Sequence, residues 1–176
     1  NLPWSNFPLV ERIREYFPNG NIIIDNDVYM ATYAEWVMNG KAANETFVYL
    51  TISTGISCCT IHNGDFIRGA GFAGEIGFLP VVYNPLSGRY ESLENVASGT
   101  GIARLAHERH SYSAQHENVA NLDASKVLAD FAKGEPYAVA IMRDVFDYIA
   151  KGLYAVSCLL DPDKLILGGG VINHHP

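Results

Sequence analysis

The chain has 176 residues, of which 48% are hydrophobic and 18% charged, a composition that supports one globular domain with a buried core and excludes a disordered polymer. Its formal net charge of −7 comes with no cluster of Lys and Arg; this argues against a nucleic-acid partner through this segment, because neutralising phosphates takes grouped cations. No apolar run reaches the roughly 20 residues that cross a bilayer, and no stretch has the layout of a secretory signal, so a cytoplasmic protein without a membrane partner is expected.

In chain order, "FPLVERIREYF" sets Leu9, Ile13, Tyr16 and Phe17 on one helical stripe. The β-branched run Asn21–Asp25, "NIIID", predicts a short buried strand. A helix is expected to start near Asn26 and stop at Gly40, and a strand to cover Thr46–Ser53. "ISCCTIHNGDFI" predicts a second strand and, through the Asn63-Gly64 turn, a third short one. Beyond a glycine-rich stretch and "FLPVV", a polar turn lies around Asn84–Gly88. "LENVASGTGIARLAHER" predicts helix in two pieces broken near Gly99–Gly101, and "NLDASKVLADFAKG" a helix capped by Asp123 or Ser125. A long amphipathic helix follows, with Pro136 in its first turn and Ile141, Val145, Ile149 and Val156 on one face. "KLILGGG" reads as a buried parallel-type strand ending in a glycine turn. The expected class is α/β, a hairpin-rich mixed sheet with packed helices. The chain opens on Asn1 rather than Met and closes just past that last strand, which reads as an excerpt of a longer domain.

Several stretches carry possible chemistry. "GAGFAGEIG" (Gly69–Gly77) has the G-x-G-x-x-G spacing of a dinucleotide loop, but a long preceding strand is missing, and Gly77 and Pro80 make a poor helix start. What remains is a glycine-rich loop that delivers one acid, Glu75. Asp25, Asn26 and Asp27 close the expected strand and open a helix; one of them suffices as a cap, while the C-terminal end of a strand is also where α/β sheets bind ligands. "STGIS" (Ser53–Ser57) is either a plain hairpin turn or a phosphate cradle of backbone N–H groups and the Thr54 hydroxyl. In "LGGGV" (Leu167–Val171) three consecutive glycines cost backbone entropy that a close-approaching ligand would justify. His107 and His110, with His116 nearby, read as a solvated face rather than a zinc site, since no further ligands accompany them. His174 and His175 have no evident partner. Cys58, Cys59 and Cys158 suit reduced thiols in a core. "NET" at Asn44–Thr46 is a glycosylation sequon by chance.

Taken in order, "NLPW", "DNDVYMATYAE", "STGI", "NGDFIRGAGFAGEIGF", "LENVASG" and "DPDKLILGGGV" resemble the ROK family, which comprises sugar kinases and sugar-responsive repressors built on the same domain. The resemblance implies the actin-like ATPase (ribonuclease H-like) fold, with residues 1–26 as the trailing edge of an N-terminal lobe and 27–176 as a C-terminal lobe. It implies a sugar kinase, glucokinase-like, acting on a hexose or N-acyl hexosamine with ATP and magnesium; the alternative is a regulator that senses a sugar without phosphorylating it. By resemblance Asp27 is the general base, Asn26, Glu75 and Glu94 are sugar ligands, and Thr54 and Gly55 form the second phosphate loop. Gly168, Gly169 and Gly170 match the segment beside the adenosine. Homodimers or homotetramers are common in the family.

Three departures stand out. The family often has histidine at the position of Phe78, followed by a cysteine-rich zinc site; Phe78–Gly99 contains neither Cys nor His, so no structural zinc and one fewer polar contact to the sugar are expected. The phosphate loop is usually G-T-G-I-G-x-G, whereas Ser53, Ser57 and Cys59 stand at three of those glycines; side chains there are expected to restrict φ and crowd the phosphates. The D-x-G-x-T loop of the other lobe is absent from these residues, so the 176-residue chain alone is expected to be inactive.

Overall fold

A computed structural model describes residues 5–112 and 122–173. Asn1–Trp4, His116, His174 and His175, together with the side chain of His110, lie outside the described residues. In chain order the elements are α1 (Leu9–Tyr16), α2 (Asp27–Met38), β1 (Thr46–Ile52), β2 (Ile56–His62), β3 (Asp65–Phe66), a 3-10 turn (Ile76–Phe78), β4 (Pro80–Asn84), β5 (Arg89–Ser92), α3 (Leu93–Ala97), α4 (Gly99–Tyr112), α5 (Ala124–Ala132), α6 (Pro136–Leu160), β6 (Lys164–Gly168) and α7 (Gly170–Asn173).

The main sheet is mixed, in the order β3-β2-β1-β6. β1 and β2 pair antiparallel around the Ser53–Gly55 turn, and β6 lies parallel to β1, with Leu50 opposite Leu167. Alternation along β1 divides the two faces, as the period of a pleated strand demands. Val48, Leu50 and Ile52 enter the larger core, built with α3, α4, α5 and α6. Phe47 points to the opposite face and packs with Trp36 of α2 and Ile61 of β2.

α6 runs for 25 residues with Pro at its start, and its Ile141, Val145, Ile149 and Val156 are buried as the spacing predicts. Gly152 of α6 is where α3 crosses: a Cβ there would lie 2.6 Å from Leu93 Cδ2. The absent side chain lets α3 settle against α6, and α3 carries Glu94.

Two expectations change, and one expected turn gains its flanking strands. Asn21–Asp25 is not a buried strand: it pairs with no strand among the described residues, and Ile23 and Ile24 are 73% and 53% exposed. A β-branched run becomes a strand only where a neighbour takes its backbone hydrogen bonds. Cys158 is exposed on α6, while Cys58 and Cys59 are buried; loss of solvent pushes the Cys58 thiol up to about 11. The segment around Asn84–Gly88 is the tip of a separate antiparallel hairpin, β4–β5. No helix among the described residues is long and apolar enough to cross a membrane.

Among the described residues the carboxylates of Glu45 and Asp130 are buried, and Asp130, on α5, is the less exposed at 5%. It accepts from Lys126 Nζ and the Tyr137 hydroxyl, with Lys133 Nζ at 3.7 Å. Those bonds, that to Lys126 first, hold its carboxyl below the ordinary carboxylate value of 3.8. The folded protein therefore binds this proton less readily than the unfolded chain. The stabilisation is complete above that value and is lost as pH falls through the lower folded one. Asp130→Ala should lower unfolding free energy at neutral pH by about 1–3 kcal/mol, and Asp130→Asn should flatten the loss of stability below pH 4, both read from urea melts between pH 2.5 and 7.

Candidate functional site

The glycine loop is the structural centre of the site. Ile67 N–H donates to Thr60 O at 2.9 Å and Cys58 N–H donates to Gly74 O at 2.8 Å, so both ends of the loop are bonded to β2. Gly74 has φ +91°, and a Cβ on it would collide with the Cys58 carbonyl. Only glycine fits there. Gly77 is similarly pressed on Ile56 O. Between these two contacts Glu75 is presented to a cleft.

That cleft, of about 390 Å³, brings together Asn26, Asp27, Glu75 and Glu94, with Tyr49, Thr51, Ser53 and Ser57 beside them. Asn26 caps α2: its Oδ1 accepts from Val28 N–H at 2.9 Å, and Asp27 Oδ1 reaches the same N–H at 2.9 Å. The capping reading and the ligand reading are thus compatible. The second oxygen of Asp27 and the amide nitrogen of Asn26 have no hydrogen-bond partner among the described residues. Glu94 Oε2 accepts from Ile56 N–H at 2.8 Å and occupies space that a Cβ on Gly55 would enter, 2.6 Å away. Carboxylates of Asp27, Glu75 and Glu94 around one hollow with hydroxyl groups suit a ligand rich in hydroxyl donors, and one carboxylate can accept a proton from it.

A second cleft of about 410 Å³ lies on the other side of the β1–β2 turn, lined by Thr54, Gly99, Thr100, Ser125, Gly170 and Val171 among others, and Ser53 borders both. The turn is gripped by the break between α3 and α4. Gly99 N–H donates to Ser53 O at 2.7 Å, and the Thr100 hydroxyl donates to Thr54 O at 2.9 Å. Ser98 Oγ in turn lies 2.9 Å from Thr100 Oγ1 and accepts from Gly101 N–H at 3.1 Å. The mostly small lining leaves room for a flat or phosphate-bearing ligand against backbone.

Not every expected residue has the expected reason for its identity. Of the three glycines after β6, Gly168 is demanded by the Tyr49 ring, and Gly169 by φ +94° and the Ile52 carbonyl; Gly170 alone meets nothing within 4 Å and lines the second cleft. None of Ser53, Ser57 and Cys59 lies at positive φ. Cys59 is a buried strand residue opposite Tyr49, and Ser57 faces the first cleft. The expected backbone restriction does not arise, because these positions adopt ordinary conformations. Phe78 is outside the lining of the first cleft and stacks on Phe72, ring centroids 5.6 Å apart. Among the described residues no group of three or more His, Cys, Asp or Glu is placed to hold a metal ion. Missed from sequence were Tyr49 and Thr51 on the cleft floor, and Arg68. The alternation of β1 could have yielded the first two; the position of Arg68 next to Gly69 was the signal for the third.

The family model of the ROK family matches residues 1–176. A glucokinase of Halalkalibacterium halodurans is 30% identical over 97% of this chain and 55% of its own. The fold is that of a ROK family glucokinase from Streptomyces griseus, solved with glucose and AMPPNP: TM-score 0.78, 24% identity, 99% of this chain and 60% of that one. A ROK family transcriptional regulator, a homologue of the E. coli MLC protein, superposes at TM-score 0.74 with 24% identity over 93% of this chain and 42% of its own. This is the actin-like ATPase fold, and the chain spans about half the length of the glucokinase it matches.

The glycine geometry yields a graded expectation. Gly74→Ala and Gly169→Ala should each unfold the protein or cost more than about 2 kcal/mol, since strain at positive φ adds to a backbone clash. Gly71→Ala, at φ +104° in open space, should cost only about 1 kcal/mol. Gly170→Ala should melt within a degree or two of the parent. Thermal melts of the four variants check the order.

Proposed function

The chain belongs to the ROK family, and from that membership we propose that it forms the sugar-binding part of an ATP-dependent sugar kinase, glucokinase-like, acting on a hexose or an N-acyl hexosamine. The observation that carries this reading is the convergence of Asn26, Asp27, Glu75 and Glu94 on one cleft that shares the Ser53–Gly55 turn with a second. The named activity of the glucokinase relative supports it. On this reading residues 1–26 are the trailing edge of one lobe and 27–176 the greater part of the other, the remaining phosphate-binding groups lying on the half of the relatives' length that this chain does not span.

In the proposed reaction Asp27 accepts the proton of one sugar hydroxyl. The oxygen so freed attacks the γ-phosphorus of ATP, the bond from that phosphorus to the bridging oxygen breaks, and ADP leaves. Asn26 and Glu75 hold neighbouring hydroxyls. Glu94, one oxygen spent on Ile56 N–H, offers the other to the sugar. Thr54 and Gly55 meet the phosphates, and Gly170 the adenosine side. Magnesium, if carried on the nucleotide, would supply positive charge beside the phosphates. The protein's share is positioning and electrostatics.

A sensor that binds sugar without transfer would use the same first cleft, and the likeness to a regulator is what supports this second reading. The second cleft, 410 Å³ and lined by backbone and small side chains, favours the kinase.

Asp27→Asn in the full-length protein should bind sugar with little change and lose roughly 10²–10⁴ in kcat, the usual worth of a general base. Glu75→Gln should raise KM more than it lowers kcat. A sensor would instead show weaker sugar binding for Asp27→Asn and no phosphoryl transfer in the parent. Calorimetric titration beside a coupled assay reads all of these, and a kcat within a few-fold of the parent would reduce Asp27 to a first-turn helix residue. Elemental analysis of untagged protein should find no stoichiometric zinc.

A further inference from the structure

Asn26 and Asp27 lie at the end of a segment with little holding it. Asn21–Asp25 is irregular, with Asn21, Ile23 and Ile24 exposed and Ile22 and Asp25 half-buried, and among the described residues its only hydrogen bonds to anything beyond Asn26 are those of Asp25 to Arg68. The pair is bidentate: Arg68 Nη1 donates to Asp25 Oδ1 at 3.1 Å and Nη2 to Oδ2 at 2.5 Å. Oδ1 also accepts Asn26 N–H at 2.9 Å, so the carboxylate is tied to its own backbone at the cap. The guanidinium lies over the rings of Tyr29, 4.3 Å from its centroid, and Phe66, at 5.3 Å. Tyr29 is on the first turn of α2, and its hydroxyl lies 3.5 Å from Ile67 O. Arg68 itself stands between Ile67, bonded to β2, and Gly69, which opens the loop delivering Glu75.

We propose that Arg68 is a positioning residue whose clamp on Asp25 sets Asn26 and Asp27 in register with Glu75 across the sugar cleft. The inference rests on the sugar-site reading above. Both halves of the first cleft are then referenced to one rigid element, β2: Glu75 through Gly74 on Cys58, and Asn26 and Asp27 through Asp25, Arg68 and Ile67 on Thr60. The clamp depends on the planar fork of arginine, which both pairs with the carboxylate in two bonds and stacks on the aromatic rings; a lysine ammonium does neither in the same way. The direction of both titrations agrees with it, since the bond to Arg68 lowers the Asp25 carboxyl and the bond to Asp25 raises the guanidinium. Neither residue lines the cleft, so their effect on a ligand passes through the residues they hold.

The test uses Arg68→Ala, Arg68→Lys, Asp25→Ala and the Asp25→Ala/Arg68→Ala pair in the full-length protein. Calorimetry with glucose and N-acetylmannosamine reads the first cleft, and titration with an ATP analogue reads the second. Each single variant, Arg68→Lys included, should weaken sugar binding on the order of tenfold while nucleotide affinity and melting temperature stay near the parent's, and the double variant should lose no more than either single one. Hydrogen exchange should quicken at the amides of Val28 and Tyr29 in Arg68→Ala without any ligand present. Sugar affinities within twofold of the parent, additive losses, or equal losses for sugar and nucleotide would each overturn the clamp while leaving the sugar site intact. A parent that takes up neither sugar overturns the sugar-site reading and the clamp with it.

Discussion

Everything in the first cleft depends on one backbone approach that admits no side chain: Gly74 laid against the Cys58 carbonyl, with Cys58 N–H donating to Gly74 O at 2.8 Å. β3 is only two residues long, so most of β2 would otherwise present an open edge. The glycine loop takes up that edge where β3 ends, bonding at Thr60 and again at Cys58. It does the work of an edge strand without being one. The residue that follows its last contact is an acid, and the direction in which Glu75 emerges is therefore set by the sheet and not by the loop's own conformational preferences. A loop of this composition free of such contacts would have no reason to hold a carboxylate in place.

How much of this was legible in the sequence depends on the kind of constraint. Periodicity and caps gave α2, β1, β2 and α6 close to their observed limits, because the hydrophobic alternation of "TFVYLTI" and the spacing of Ile141, Val145, Ile149 and Val156 reflect burial directly. The residues of the first cleft were recognisable as types, and the fold brings Asn26, Asp27, Glu75 and Glu94 together. What could not be read was what each glycine is for. "GGG" suggested three positions near a ligand, but Gly168 answers to the Tyr49 ring and Gly169 to Ile52 O, contacts between segments more than a hundred positions apart. "NIIID" failed for the converse reason. Its residues favour a strand, yet a strand is a pairing, and propensity carries no information about a partner.

The Ser53–Gly55 turn forms the wall between the two clefts, and its stiffness is built from both sides. Ser53 O and Thr54 O are held by Gly99 and Thr100 at the start of α4, and Ile56 N–H by Glu94 on α3. α3 in turn sits where Gly152 lets it close on α6. A chain of contacts therefore runs from the longest helix to the turn, each link a specific absence of side chain or a specific hydrogen bond. Two ligands approaching each other across such a wall meet at a separation fixed by the protein.

Glu94 also ties its own identity to that of Gly55 as one heritable pair. Its carboxylate fills the space above Gly55, where an added methyl would lie 2.6 Å from Oε2, and abuts Gly77, where the same atom would be 3.2 Å away. A side chain on Gly55 would have to push the carboxylate off the Ile56 amide, and one on Gly77 would strike the Ile56 carbonyl whatever the acid does; shortening the acid strands the Ile56 amide and opens a void. Drift at Gly55 and at the acid is therefore coupled: a lineage that keeps the carboxylate on the Ile56 amide inherits Gly55 with it, while Gly77 is held by the sheet in either case.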